Sequence, residues 1–147
     1  MLKIMIAEDD LMIADMVEEI LVESGYEVCG IARTVAEGVA LGRLHKPDLA
    51  VIDLRLADEG LGTEIAAQLS ALGKLGVLYA SANISRQMLD SAHGDACLSK
   101  PYGSADLVRA LQIVADIVAT GTTVQAFPRG FQLLPLVPVE QLEFHDG

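Results

Sequence analysis

Leu49-Ala50-Val51-Ile52-Asp53 decides the fold: four consecutive apolar residues, then a carboxylate. An unbroken apolar run with no alternation is what a strand covered by helices on both faces requires. Two other runs end in the same manner. Leu2-Lys3-Ile4-Met5-Ile6-Ala7 leads into Glu8-Asp9-Asp10, and Ala96-Cys97-Leu98-Ser99 leads into Lys100-Pro101. Ligands of an open parallel sheet bind beyond the carboxyl ends of its strands. If these runs are neighbouring parallel strands, the acid cluster, Asp53 and Lys100 meet in one pocket. A pocket holding a divalent cation, a lone carboxylate and an ammonium suits phosphorylation of Asp53.

The rest of the chain alternates strands with amphipathic helices. Asp10 caps a helix to about Ser24, with Ile13, Val17, Ile20 and Leu21 on one face and Asp15, Glu18, Glu19 and Glu23 on the other. Glu27 to Ala32 reads as a second strand. Thr34-Val35-Ala36-Glu37 is a capping box that opens a helix to about Leu44. After Asp53 comes a loop of glycine and acid, then a helix from about Thr63 to Leu72. Gly76 to Ala80 is a fourth strand ending at Ser81. Ser85 caps a short helix ending near His93, and Ser104 caps a last one to about Ala119. Strand–helix alternation of this kind argues for βαβ units, a parallel sheet and a doubly wound order.

The chain has 147 residues, one domain's worth, and is over half apolar. No apolar run approaches the ~18 residues of a membrane span, so no membrane association is expected. No secretory signal precedes the first strand, which favours the cytoplasm. Cys29 and Cys97 both lie in apolar runs and read as buried free thiols. The formal net charge of −11 opposes nucleic-acid binding, which rests on phosphate neutralisation by Lys and Arg. Residues 1–120 read as the domain. Residues 121–147 hold three of the five prolines with several large apolar residues, and read as a tail with no domain of its own. That tail packs on its own domain or docks on a partner.

Each residue of the pocket has an assignable role. Crowded carboxylates raise one another's pKa unless a cation intervenes. Mg²⁺ suits this set, because it takes oxygen ligands and is completed by water and phosphate oxygens. Asp9 and Asp53 are the expected direct ligands, Glu8 acts through a bound water, and Asp10 is the helix cap. The Lys100 ammonium pairs with Asp53 and, after transfer, with phosphoryl oxygens. The Ser81 hydroxyl and the Ala82 amide donate to phosphoryl oxygens.

The motifs Ile6-Ala7-Glu8-Asp9-Asp10, Val51-Ile52-Asp53-Leu54, Leu78-Tyr79-Ala80-Ser81-Ala82 and Leu98-Ser99-Lys100-Pro101-Tyr102 together resemble the receiver domain of two-component response regulators. The resemblance spans about Met1 to Ala119. It implies a flavodoxin-like, doubly wound sheet of five parallel strands in the order 2-1-3-4-5, with helices on both faces. It implies Mg²⁺-dependent phosphorylation of Asp53 by a histidine kinase or histidine phosphotransfer protein, with Glu8 and Asp9 as the acid pair. It makes the Arg55 backbone carbonyl the third protein ligand of the metal, Ser81 the switch hydroxyl and Lys100 the lysine of the pattern. Where the family often carries an aromatic switch residue, three positions before the lysine, this chain has Cys97. The loop after Asp53 has two glycines, Gly60 and Gly62, and no proline.

The expected protein is a stand-alone receiver that catalyses only its own phosphorylation and dephosphorylation and acts by protein–protein contact. The last helix shows two apolar stripes. The second, Ala110, Ile113 and Ile117, is the expected surface for a homodimer or an effector protein. A competing class is an aspartyl-phosphate phosphatase of the haloacid-dehalogenase type, which would want an acid two residues after Asp53; Arg55 stands there. A binding module independent of phosphorylation is the third.

Overall fold

The apolar runs that end at Ala7, Ile52, Ser81 and Ser99 form strands buried on both faces. The structure is a computed structural model and describes residues 1–82, 89 and 93–134. Its elements are β1 (Lys3–Ala7), α1 (Leu11–Glu23), β2 (Glu27–Ala32), α2 (Val35–His45), β3 (Leu49–Ile52), α3 (Gly62–Ser70), β4 (Gly76–Ser81), β5 (Ala96–Ser99), α4 (Ser104–Thr120) and β6 (Phe131–Leu133). The sheet order is β2-β1-β3-β4-β5-β6. The first five strands run parallel in the expected order. The expected count of five is short by one, because β6 adds antiparallel to β5. The helix expected from Ser85 falls mostly outside the described residues, as does the tail beyond residue 134.

Strand residues alternate between two cores. Ile4, Ile6, Leu49, Val51, Leu78, Ala80, Ala96 and Leu98 pack with α1 and α4. Met5, Ala7, Ala50, Ile52, Val77, Tyr79 and Cys97 fill the opposite face, with residues of α2 and α3. Both layers are sealed by side chains of period two, so the sequence shows apolar runs rather than alternation.

The caps expected at Asp10 and Thr34 are present, whereas Ser104 is the first residue of α4 rather than its cap: Gly103 stands at the cap position and no side chain caps that helix. The Asp10 carboxylate accepts from the Met12 and Ile13 amides at the start of α1. Thr34 Oγ1 accepts from the Glu37 amide, and Glu37 Oε1 reaches back to the Arg33 amide at 2.7 Å. The core face of α1 is Ala14, Val17 and Leu21, with Ile13 and Ile20 at its margin.

The last helix departs from expectation. Leu107, Ala110, Leu111, Ile113 and Val114 are all buried, and Ile117 is half-buried against the same core. The stripe expected to be a partner surface is therefore core. Phe131, brought back by the chain after α4, joins that core and is 7 % exposed.

Candidate functional site

The backbone sets the site before any side chain does. The Glu8 amide donates to the Ala32 carbonyl at 2.8 Å, the Asp53 amide to Ala7 at 2.9 Å and the Lys100 amide to Ser81 at 2.9 Å. Each of these residues is thus the first beyond its strand, held by the last rung of the ladder. Since β1 and β3 are neighbours, Glu8, Asp9 and Asp53 converge. Since β4 lies between β3 and β5, Ser81 sits between the strand ends that carry Asp53 and Lys100.

Ligand oxygens of Glu8, Asp9 and Asp53 lie within 4.8 Å of one another. Lys100 Nζ bridges two of them, at 2.7 Å from Glu8 Oε1 and 3.1 Å from Asp53 Oδ2. The expected Lys100–Asp53 pair is present, and the contact with Glu8 is the shorter of the two. Burial pushes the Glu8 carboxyl up to about 7, against the lowering pull of the Lys100 hydrogen bond, and the Asp53 charge adds to the rise. Burial alone would depress the Lys100 ammonium. Hydrogen bonds and charge from Glu8 and Asp53 outweigh it and leave its pKa above the ordinary lysine value.

Three convergent carboxylates with a neighbouring free carbonyl are a hard-oxygen donor set, and they fit Mg²⁺ better than a softer metal. The Arg55 carbonyl takes no hydrogen bond among the described residues, while the Arg55 amide donates to Asp53 Oδ1 at 3.3 Å. Ser81 is buried at the end of β4. Ala82 and Lys100 share the wall of an apolar cleft of about 360 Å³, lined also by Ile13, Met16, Pro101 and Tyr102. The Lys100–Pro101 peptide is cis.

The loop after β3 is pinned. The Leu56 amide bonds the Gly60 carbonyl, the Ala57 amide bonds Arg33 and the Gly62 amide bonds Leu54. A Cβ on Gly62 would lie 2.0 Å from the Asp53 carbonyl oxygen and 2.5 Å from Ile52 Cγ2. Only glycine lets the start of α3 close on the strand end that presents Asp53. In the sequence Gly62 reads as a loop glycine, and its one signal is its place directly before an amphipathic helix; the structure makes it the first residue of α3.

Cys97 is buried, and its cross-strand partner is Tyr79. The aromatic ring absent at position 97 is thus found one strand over. The Tyr79 hydroxyl donates to the His93 carbonyl, and its ring abuts Gly94, where a Cβ would stand 2.6 Å from Tyr79 Cε2. Burial raises the Tyr79 hydroxyl well above the usual phenol range, and the Asp95 charge adds to the rise.

Among the described residues no helix is long and apolar enough to cross a membrane. Residues 4–112 match the response regulator receiver domain family. The chain is 31 % identical over 117 residues to the transcriptional regulatory protein PdtaR of Mycobacterium tuberculosis, covering 78 % of this chain and 57 % of that protein. It therefore spans little more than half the length of that relative. A CheY-like response regulator receiver domain from Methanospirillum hungatei superposes with a TM-score of 0.75 at 28 % identity, covering 82 % of this chain and 98 % of the other. The anti-anti-sigma factor PhyR of Bartonella quintana superposes with a TM-score of 0.68 at 28 % identity, over 82 % of this chain and 49 % of that one. With the strand order and the four motifs already described, these matches establish that the chain belongs to the receiver domain family of two-component response regulators.

Proposed function

We propose that Asp53 accepts a phosphoryl group from a histidine kinase or histidine phosphotransfer protein, and that the phosphorylated domain acts by protein–protein contact. The observation that carries this reading is the convergence of Glu8, Asp9 and Asp53 within 4.8 Å, with Lys100 bridging Glu8 and Asp53. Asp9, Asp53 and the Arg55 carbonyl would hold Mg²⁺ directly, with Glu8 acting through a water. The bound metal would supply charge neutralisation for the transferring phosphoryl group.

The chain's own groups account for the rest. An Asp53 carboxylate oxygen attacks phosphorus in line, the phosphorus–nitrogen bond to the donor imidazole breaks, and the electron pair leaves with the imidazole. Lys100 exchanges part of its contact with Glu8 and Asp53 for the new phosphoryl oxygens. The Ser81 hydroxyl and the Ala82 amide donate to the same oxygens. The cleft formed by Ile13, Met16, Ala82, Pro101 and Tyr102 offers apolar contact to the donor directly beside the reacting carboxylate. A donor charged from ATP places the reaction in the cytoplasm.

Incubation with acetyl phosphate and Mg²⁺, followed by intact-mass analysis, tests the metal assignment. One phosphoryl group should be gained, and the gain should vanish in Asp9→Asn. Undiminished gain in that variant would overturn the assignment of Asp9 as a ligand.

A further inference from the structure

The edge of β5 is closed by the chain's own residues. After α4, Gly121 turns the chain with φ of +83°, and Thr123 Oγ1 bonds Asp116 Oδ2 at 2.8 Å. The segment then runs back to β5. A turn at Pro128 to Phe131, with Gly130 at φ of +80°, sets up β6, and Phe131 pairs with Leu98, Gln132 with Cys97 and Leu133 with Ala96. The Ser99 amide bonds the Gly130 carbonyl at 3.1 Å, and the Leu134 amide bonds Asp95 at 2.9 Å. Phe127 stacks edge-on against Phe131, with centroids 4.9 Å apart.

The attachment is slight. β6 has three residues, of which Phe131 alone is buried; Gln132 and Leu133 are exposed. A strand this short is drawn from the weakly held part of a fold. One of its bonds is also placed where the site can reach it. Gly130 is held by Ser99, the residue directly before Lys100, and a Cβ on Gly130 would lie 3.3 Å from Ser99 Cβ.

We propose that residues 127–134 are a releasable cover over the β5 edge, and that formation of the acyl phosphate on Asp53 loosens it through Lys100 and Ser99. The inference rests on the function proposed above. As Lys100 moves to the phosphoryl oxygens, Ser99 shifts with it, and the Ser99–Gly130 bond is lost. Release of Phe131 from the core face then uncovers the unpaired amides and carbonyls of β5, and a cleft shaped for an aromatic side chain. Such an edge accepts an extended strand from a partner, with β6 itself as the template of what fits.

The test is amide hydrogen exchange on the full chain, with and without acetyl phosphate and Mg²⁺, alongside intact mass on the same samples. Phosphorylation should speed exchange at Ser99 and Leu134 by about tenfold or more while the amides of β1 and β3 stay protected. Phe131→Ala should bring the same amides to fast exchange without phosphorylation and still gain the phosphoryl group. Gly130→Ala, a milder change that strains the turn, should move them in the same direction. A chain that gains the phosphoryl group with Ser99 and Leu134 unchanged overturns the cover and leaves the function intact. A chain that gains none overturns the proposed function and its trigger together. Protected Ser99 and Leu134 in both variants would show that Phe131 and the turn do not hold the edge, and would equally overturn the cover.

Discussion

Helices α1 and α4 pack side by side on one face of the sheet, yet they treat their apolar residues oppositely. α4 turns Leu107, Ala110, Leu111, Ile113 and Val114 into core. α1 buries Ala14, Val17 and Leu21, and leaves Leu11, Met12, Met16 and Val22 exposed, Met12 by 83 %. Both helices follow strands whose ends form the site. The buried residues of both helices belong to one core, which Phe131 from the segment behind α4 also joins. Apolar content therefore does not locate an interaction surface. Of the exposed side chains of α1, Met16 lines the cleft beside Lys100, where the phosphodonor proposed above would approach.

The contrast is open to direct attack by substitution. Ile113→Asp places an unpaired charge in the core and should destabilise the fold by about 4 kcal/mol or more, read as the midpoint of urea unfolding. Wild-type stability in that variant would restore the last helix as a free surface. Met16→Asp should leave stability within about 0.5 kcal/mol, because the side chain is half exposed. It should slow phosphotransfer from a histidine donor by about tenfold while acetyl phosphate still reacts at the wild-type rate; equal slowing with both donors would place Met16 in the chemistry rather than in docking. Asp10→Ala removes the carboxylate that accepts from Met12 and Ile13, and should cost about 1 kcal/mol in stability. A loss several times larger would mean that Asp10 serves the acid cluster as well as the helix.

These contrasts mark where the sequence was legible. The inner parallel strands β1, β3, β4 and β5 were, because burial on both faces writes itself as apolar runs. Asp53 and the acid cluster were, because a charge ending such a run stands out. The sixth strand was not: three residues beside Pro128, with one buried side chain, carry too little periodicity to identify. The covered stripe of α4 was not, since two apolar stripes look alike until the element that covers one is known. The Lys100–Glu8 contact joins residues 92 apart in sequence, and nothing local announces which of two carboxylates an ammonium will favour. Gly62 was misread for a related reason, since the atom it avoids is the Asp53 carbonyl nine residues earlier.

The central claim is that the carboxylate at the end of β3 is the phosphoacceptor. Phosphorylate the full chain with acetyl phosphate and Mg²⁺, then map the hydroxylamine-labile label by peptide mass. The label should sit on Asp53, disappear in Asp53→Asn, and fail to form when the metal is chelated. A label that persists in Asp53→Asn and maps to Asp10 or Asp58, or one that forms equally well without Mg²⁺, would contradict the account.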